Sequence, residues 1–342
     1  MALGVQVEST VVIGDESTAD HALKLARQGR ILVWRGDYRN AVQLLAAMRR
    51  RVGKVRRGSS PADTFRRYRA AAARRARLLG QVQVDVGPGY ALELPHAPDV
   101  AEACTLAFGP STGRMPLTDI MGALGAHRWR VRGVHVPALG ARIHPHYGVF
   151  APTRHEYVDL VGSMPWPGPS KVFDVGTGTG VLAALLAQRG ADDVVAVDIE
   201  PRAVECARAN VDRLGLAASI RVGQRDLFPA GTADLIVCNP PWLPSAVSSP
   251  LDTAVYDPGS RMLRGFLRGV AGHLTADGEA WLIVSDLAER LGLRAPTRTL
   301  ITGAGLVVRD RMDVRPRHRT RKDDPLAEYR AAEVTSLWRI TR

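Results

Sequence analysis

The second half of the chain alternates between short apolar runs and helical segments, and this alternation constrains the fold most. Apolar runs over 172–175, 194–197, 235–238 and 281–284 have the length of buried strands, and helical segments separate them. Strands of this kind form a parallel sheet covered by helices on both faces. We therefore predict an α/β fold with a ligand site beyond the carboxyl ends of its strands.

A glycine-rich loop follows the first of these strands. It reads DVGTGTG over residues 174–180, and a helix begins directly after it. Glycines let the backbone turn tightly and let a ligand approach without a Cβ in the way. A dinucleotide-binding GxGxxG loop would have a third glycine at position 181, where this chain has Val181. The loop therefore indicates a ligand site, with spacing that disfavours a nicotinamide cofactor.

Acidic residues follow the next two strands. Asp198 lies about 20 residues after the glycines, a spacing suited to accepting hydrogen bonds from two ribose hydroxyls. Asp226 follows the third strand and can accept a hydrogen bond from an adenine amino group, with Leu227 packed beside the ring. These acids predict a bound nucleoside, but Asp198 alone does not distinguish a nicotinamide cofactor from other nucleoside cofactors.

The run Asn239-Pro240-Pro241-Trp242 comes directly after the apolar strand 235–238. Its prolines stiffen the chain and cannot donate backbone hydrogen bonds. The Asn239 side-chain oxygen and the Pro240 carbonyl can both accept hydrogens from a planar NH2 group, and Trp242 can stack on that group. Group transfer by direct displacement then depends on positioning and electrostatics. We predict that these four residues are catalytic, with a proline-rich turn as the alternative.

Residues 171–290 together resemble the class I S-adenosylmethionine-dependent methyltransferases that carry an NPP-aromatic motif. This group includes glutamine N5-methyltransferases of release factors and ribosomal proteins, and base-amine methyltransferases of RNA and DNA. The resemblance implies a Rossmann-like, seven-stranded sheet whose last strand is antiparallel, and S-adenosyl-L-methionine as the cofactor. The cofactor contacts that we predict come from Asp174, Gly176, Thr177, Gly178, Gly180, Asp198, Ile199, Asp226, Leu227 and Asn239.

Four further residues are candidate substrate contacts. Pro152 and Arg154 lie in the segment 148–156, which loosely resembles an element that closes over the cofactor in the release-factor type. Tyr256 and Arg261 follow the catalytic run and can form the other wall of the acceptor pocket, although a solvated surface loop is an equal alternative. The release-factor type usually has tyrosine where this chain has Trp242.

The first 130 residues differ from the rest in charge and pattern. Residues 1–80 contain 17 Lys+Arg against 6 Asp+Glu, whereas the remaining 262 residues contain 29 against 28. This asymmetry suits contact with RNA, although a coding sequence rich in G and C also gives many arginines. The segment is mixed α/β and helix-rich, and it does not resemble the small all-helical domain of the release-factor type. Its alternating runs 82–86 and 90–94 predict two short strands around a Gly-Pro-Gly turn.

We therefore predict three parts: a basic acceptor-recognition domain over 1–130, a connecting segment over 131–170, and the catalytic domain over 171–342. The three cysteines form no CxxC pair, and His144 and His146 lack an accompanying acid or cysteine cluster, so we expect neither disulfides nor a metal. No apolar run approaches the roughly 20 residues of a membrane span, and no signal peptide is evident. The expected compartment is the cytoplasm.

The motifs leave several functions open. The leading expectation is N-methylation of a planar amide or amino nitrogen, above all a glutamine side chain in a translation-related protein. The alternatives are a nucleobase amine in rRNA, tRNA or DNA, and a small molecule. A non-catalytic module that keeps the fold is disfavoured by the intact Asp174, Asp198 and NPPW run. A nicotinamide-dependent oxidoreductase is disfavoured by Val181 and by the same run.

Overall fold

The computed structural model describes residues 9–53, 55–166, 168–247, 250–316 and 324–342. These residues fall into two compact units. The first contains residues 1–59 and 63–128, and the second contains residues 60–62 and 129–342. The long helix over Leu117–Arg132 runs from the first unit into the second.

The first unit is a four-stranded sheet with helices, in the strand order β1-β2-β3-β4. Strands β1, β2 and β3 are parallel, and β4 is antiparallel to β3. Its elements are β1 (Thr10–Ile13), α1 (Ala19–Arg27), β2 (Ile31–Trp34), α2 (Tyr38–Arg51), α3 (Pro61–Gly80), β3 (Val82–Val86), α4 (Ala101–Phe108), β4 (Gly113–Pro116) and α5 (Leu117–Arg132). The predicted mixed α/β, helix-rich character of this region is confirmed.

The prediction of a strand over 90–94 is wrong. Residues Pro88–Tyr90 form one turn of 3-10 helix, and Tyr90 has a positive φ of 63°. Its buried side chain donates a hydrogen bond to the Gly109 carbonyl, so the chain leaves the sheet at this point. Strand β4, whose sequence Gly-Arg-Met-Pro shows no strand pattern, pairs with β3 instead.

The second unit contains a seven-stranded sheet in the order β12-β13-β11-β10-β7-β8-β9, together with a two-stranded hairpin. Its elements are β5 (Val134–Val136), β6 (Ala141–Ile143), α6 (Glu156–Ser163), β7 (Lys171–Val175), α7 (Val181–Gln188), β8 (Asp193–Asp198), α8 (Pro201–Arg213), β9 (Ile220–Gln224), β10 (Ala233–Cys238), α9 (Arg261–His273), β11 (Leu274–Ser285), α10 (Leu287–Arg290), α11 (Thr297–Gly303), β12 (Val307–Val314), α12 (Ala327–Ala331) and β13 (Thr335–Thr341). Only β13 runs against its neighbours β11 and β12.

Apolar residues on the two faces of this sheet pack into two separate core clusters. One cluster joins the strands to α6 and α7, and the other joins them to α9 and α11. Successive residues of β10 alternate between the clusters, with Leu235 and Val237 in the first and Ile236 and Cys238 in the second. A sheet buried on both faces explains why its strands read as continuous apolar runs. The predicted Rossmann-like fold is confirmed.

Among the described residues, no helix combines the length and the apolar character that crossing a membrane requires.

Candidate active site

Three predicted site segments leave adjacent parallel strands at the same level. Strand β7 lies between β10 and β8, with Val175 paired to both Cys238 and Val197. The next residues along these strands are Gly176, Asn239 and Asp198. Because neighbouring strands are about 4.8 Å apart, the backbones of Asn239 and Asp198 each start about one strand spacing from Gly176, on opposite sides of it. The strand order also reverses between β7 and β10, which is where α/β sheets bind ligands.

The glycine loop after β7 uses backbone conformations that favour glycine. Gly176, Gly178 and Gly180 all have positive φ, between 56° and 80°. A Cβ on Gly178 would meet no atom within 4 Å, whereas one on Gly176 would lie 2.5 Å from Met262 Cε. The loop therefore leaves open space above Gly178, and the Met262 side chain from α9 lies over Gly176.

Asp174 is buried at the base of this loop. Its Oδ2 accepts hydrogen bonds from the Thr177 hydroxyl at 2.7 Å and the Ala183 amide at 3.1 Å, which hold the loop to the start of α7. Its Oδ1 is buried and has no hydrogen-bond partner among the described residues. Burial raises the pKa of Asp174 to about 6, and the nearby Asp198 carboxylate adds to this rise.

Asp198 lies at the end of β8 and connects two loops. Its Oδ2 accepts from the Gly178 amide at 2.9 Å, and its Oδ1 accepts from the Glu200 amide at 3.0 Å. Burial raises the pKa of this carboxyl as well. Ile199 follows Asp198 in the chain, and 45% of its surface is exposed. Two partly desolvated carboxylates make this edge of the sheet favourable for a cation.

The segment after β9 contributes Asp226 and Leu227. The Asp226 carboxylate is exposed and accepts a 2.6 Å ion-pair contact from Arg261. Leu227 has a positive φ of 69° and packs against Gly265 of α9. A predicted adenine contact and a predicted acceptor contact thus form one ion pair, and both roles stay predictions.

These residues fit S-adenosylmethionine. The open space above Gly178 gives room for a ribose close to the backbone, and Asp198 is the carboxylate next to it. The unbonded Oδ1 of Asp174 is a buried acceptor at the base of the loop, suited to a cationic amino group. The cofactor contacts of these residues stay predictions.

The run over residues 239–242 follows β10 as a constrained loop. Pro240 is buried, and the backbone of Leu243 exchanges hydrogen bonds with Val255 and Asp257. The Trp242 indole N–H donates to Asn239 Oδ1 at 3.0 Å. Trp242 is half-buried and packs against both core clusters. The Asn239 carboxamide is therefore held at the carboxyl end of β10, beside the glycine loop.

Helix α9 is fixed next to this loop by the Asp257 carboxylate, which lies between the two predicted acceptor contacts Tyr256 and Arg261. Asp257 is buried, and its Oδ2 accepts from the amides of Met262 at 2.9 Å and Leu263 at 3.3 Å. Acids are favourable at a helix N-terminus because they accept from its unpaired amides. The same segment contains Tyr256, which is half-buried and bridges to Leu243. Tyr256 thus lies directly beside the run over residues 239–242.

The segment of Pro152 and Arg154 precedes α6. Pro152 is buried, whereas Arg154 is exposed. The positive charge of Arg154 counteracts part of the rise in the pKa of Glu333 that burial causes, so Arg154 lies near that carboxyl. Glu333 accepts from Ser285, the last residue of β11. Arg154 is therefore placed at the same edge of the sheet as Asn239, and its substrate contact stays a prediction.

Asn210 of α8 is a site residue that motif analysis missed. It is buried, donates from Nδ2 to the carbonyls of Thr179 and His144 at 3.0 and 3.3 Å, and accepts from the His144 amide at 2.8 Å. It thereby connects the glycine loop to the end of β6. The available signal was a polar residue on the buried stripe of an amphipathic helix.

The two histidines flanking Pro145 are structural in this unit. His144 Nδ1 contacts the Arg130 carbonyl at 2.7 Å, and the His146 amide donates to Cys206 Sγ. Burial lowers the pKa of His146 to about 4, which keeps the ring neutral. Among the described residues, no group of three or more His, Cys, Asp or Glu could hold a metal ion.

Part of the chain is similar to known proteins. Residues 141–290 match the family model of the methyltransferase small domain. The release factor glutamine methyltransferase of Rhodospirillum rubrum is 34% identical over 206 residues, which are 58% of this chain and 60% of that protein. The ribosomal protein L11 methyltransferase of Symbiobacterium thermophilum is 39% identical over 114 residues, which are 33% of this chain and 35% of that protein.

A solved structure of a methyltransferase from Pyrococcus furiosus matches with a TM-score of 0.42 and 18% identity, over 59% of this chain and 89% of that one. The chain spans about a third to three fifths of the length of the two curated relatives. The predicted resemblance to S-adenosylmethionine-dependent methyltransferases is confirmed for this part of the chain, and with it the predicted enzyme class and cofactor of the domain.

Proposed function

We propose that the whole chain is an S-adenosylmethionine-dependent N-methyltransferase that acts on a planar amide or amino nitrogen. The observation that supports this most is the register of β8, β7 and β10. It brings Asp198, the glycine loop and Asn239 to one level of one sheet edge. A nucleoside cofactor and a planar nitrogen can therefore meet there. The proposed compartment is the cytoplasm, in keeping with three buried free cysteines.

The protein's own groups act by binding and orienting. The cofactor supplies an electrophilic methyl on a positively charged sulfur. Asp174, Asp198 and the glycine loop would hold the cofactor, and its methyl would pass from sulfur to the acceptor nitrogen, with the sulfur left neutral and one N–H proton released to solvent. Asn239 Oδ1 and the Pro240 carbonyl accept the acceptor's N–H groups and aim its lone pair at the methyl. Placement of this kind accounts for a large part of a transfer barrier.

The proposed acceptor is a glutamine side chain of a translation-related protein. A carboxamide presents a planar NH2 group that matches the two acceptors at Asn239 and Pro240. Two relatives support the choice, since one is named for release factor glutamine methylation and the other for methylation of ribosomal protein L11. The planar face of the amide suits the half-buried Trp242 beside Asn239.

The experiment that tests the function is transfer of labelled methyl from S-adenosylmethionine into an extract of cells lacking this protein. Label in the protein fraction supports the glutamine acceptor. Asn239→Ala should lower transfer by about 100-fold or more, as removal of a transition-state hydrogen-bonding group does. Binding of S-adenosylhomocysteine should fall far less than transfer, because Asn239 is one of ten predicted cofactor contacts. Absence of label from every fraction, or equal loss of cofactor affinity and activity, would contradict the proposal.

A nucleobase amine is the second candidate, because α3 presents a basic face. Arg66, Arg74 and Arg77 are exposed, and their spacings of 8 and 11 residues place them on one side of the helix. They span about 16 Å along the helix axis. Asp63, the helix's single carboxylate, is in an ion pair with Arg67 at 3.0 Å. Arginines arranged in this way suit RNA phosphates.

Changing the basic face of α3 distinguishes the two candidate acceptors, a glutamine side chain and a nucleobase amine. Replacing Arg66, Arg74 and Arg77 by alanine should weaken labelling of an RNA fraction and reduce its salt dependence, since each lost phosphate contact lowers the salt slope by about one. The matched control replaces three exposed arginines of the second unit, Arg213, Arg268 and Arg315, with the same change in net charge. Equal effects of the two triple variants would contradict a specific role for α3.

A further inference from the structure

The loop over residues 239–242 contains a hydrogen bond between two of its own side chains. The Trp242 indole Nε1–H donates to Asn239 Oδ1 at 3.0 Å, three residues apart. The two prolines between them restrict the backbone and bring both side chains to one side of the loop. Within the described residues, this is the hydrogen bond that the Asn239 carboxamide makes.

The indole is held independently of this hydrogen bond. Trp242 packs against both core clusters of the second unit. Its neighbour Leu243 is buried, and its carbonyl accepts from the Asp257 amide at 2.9 Å. The position of the indole N–H is therefore set by packing and by the backbone, and Asn239 adapts to it.

The chemistry of the two groups determines how Asn239 is turned. A carboxamide has an oxygen that only accepts and a nitrogen that only donates, and the two ends are nearly equal in shape. An indole N–H can only donate, so it pairs with the oxygen and not with the nitrogen. The oxygen has a second lone pair, which remains available for another N–H.

We propose that Trp242 is a positioning residue whose indole N–H fixes the orientation of the Asn239 carboxamide. This inference rests on the proposed function, because the oriented oxygen acts on an acceptor nitrogen that bears hydrogen. Without the indole donor, the carboxamide can turn its NH2 group toward the acceptor. Two donors would then face each other, and the acceptor lone pair would not be aimed at the methyl. A phenylalanine ring could stack on the acceptor but could not set this orientation.

The test compares Trp242→Phe in two backgrounds. Both oxygens of an aspartate accept, so Asn239→Asp has no orientation to select. With labelled S-adenosylmethionine and the extract fraction that the natural chain labels, Trp242→Phe should lower the transfer rate at saturating acceptor about tenfold or more. The same change in the Asn239→Asp background should lower it no more than about threefold. Equal losses in both backgrounds would show that Trp242 acts through packing alone and would overturn the inference.

A spectroscopic measurement tests the contact without activity. In protein labelled with 15N, the indole N–H resonance of Trp242 is identified by its loss in Trp242→Phe. Asn239→Ala should shift this resonance, whereas the exposed Trp129→Phe should leave it in place. An unmoved resonance in Asn239→Ala would overturn the inference. Binding of S-adenosylhomocysteine verifies that each variant is folded.

The two measurements separate this inference from the proposed function. If the natural chain transfers no methyl to any fraction, the proposed function fails and this inference fails with it. If the natural chain transfers methyl but the losses in the two backgrounds are equal, only the inference fails.

Discussion

At the residue scale, the protonation of Asp174 links the cofactor site to pH. Burial raises its pKa to about 6 from an ordinary value of 3.8. A cationic amino group of the cofactor favours the ionised carboxylate, so cofactor binding requires loss of this proton. We expect the dissociation constant of S-adenosylhomocysteine to rise by up to about tenfold per pH unit below pH 6. Isothermal titration calorimetry between pH 5 and 8, with Asp174→Asn as the variant lacking the titration, measures this.

The stability of the cofactor-free protein should depend on pH in the opposite sense. Between pH 3.8 and 6 the folded state keeps the Asp174 proton that the unfolded chain has lost. The contribution of this residue to the free energy of unfolding is therefore complete below pH 3.8 and is lost as pH rises through 6.

If affinity for S-adenosylhomocysteine followed the same pH profile in Asp174→Asn, another group would be responsible for the titration.

The positions that the sequence could predict at this scale are those at the carboxyl ends of strands. Asp198 and Asn239 each follow an apolar run directly, Asp174 lies one residue before the end of another, and parallel pairing brings the ends of such runs together. The 3.0 Å bond between Trp242 and Asn239 could not be predicted. Its geometry depends on the packing of Trp242 against both core clusters, which the residues of the loop alone do not specify.

At the element scale, Asn210 makes α8 a support for the glycine loop. Replacing it by leucine keeps the branching of the side chain but leaves the Thr179 carbonyl and the His144 amide without this partner. An unpaired buried group costs about 1–3 kcal/mol, so Asn210→Leu should lower the melting temperature by several degrees. Because Thr179 belongs to the glycine loop, affinity for S-adenosylhomocysteine should fall as well.

The matched control for this prediction is Asn40→Leu in the first unit. Asn40 is exposed and donates to Asp15 at 3.0 Å, so its loss removes a hydrogen bond without leaving buried groups unpaired. Thermal melts and calorimetry on both variants make the comparison. Unchanged cofactor affinity in a destabilised Asn210→Leu would show that α8 supports the fold and not the loop.

The sequence predicted strands well where burial on both faces requires an apolar run. It predicted them poorly where a strand depends on pairing with its neighbour. Strands β7, β8 and β10 are buried on both faces, and their apolar runs identify them. Strand β4 is largely exposed and exists through its antiparallel partner β3, so its own residues give no signal. The β5–β6 hairpin lies in a segment whose glycines and prolines predicted only a connection.

At the scale of the whole molecule, the excess positive charge and the predicted site residues lie in different parts of the chain. The excess of positive charge lies in the first 80 residues, whereas the predicted cofactor and catalytic residues all lie between Asp174 and Trp242. The first compact unit ends at Arg128 and the second begins again at Trp129. This division supports the proposal that one unit recognises the acceptor and the other performs the transfer.

A fragment of residues 129–342 tests that division. Both core clusters of the sheet consist of residues from Val136 onward, so the fragment retains the packing that forms the site. We expect it to fold and to bind S-adenosylhomocysteine within about threefold of the full chain, because no predicted cofactor contact is lost. Methyl transfer to the acceptor fraction should fall by about tenfold or more through weaker acceptor binding, with a smaller effect at saturating acceptor. Full transfer by the fragment would show that the basic unit does not recognise the acceptor. A fragment that cannot bind the cofactor would show that the site depends on residues before Trp129, and the separation of roles would then be wrong.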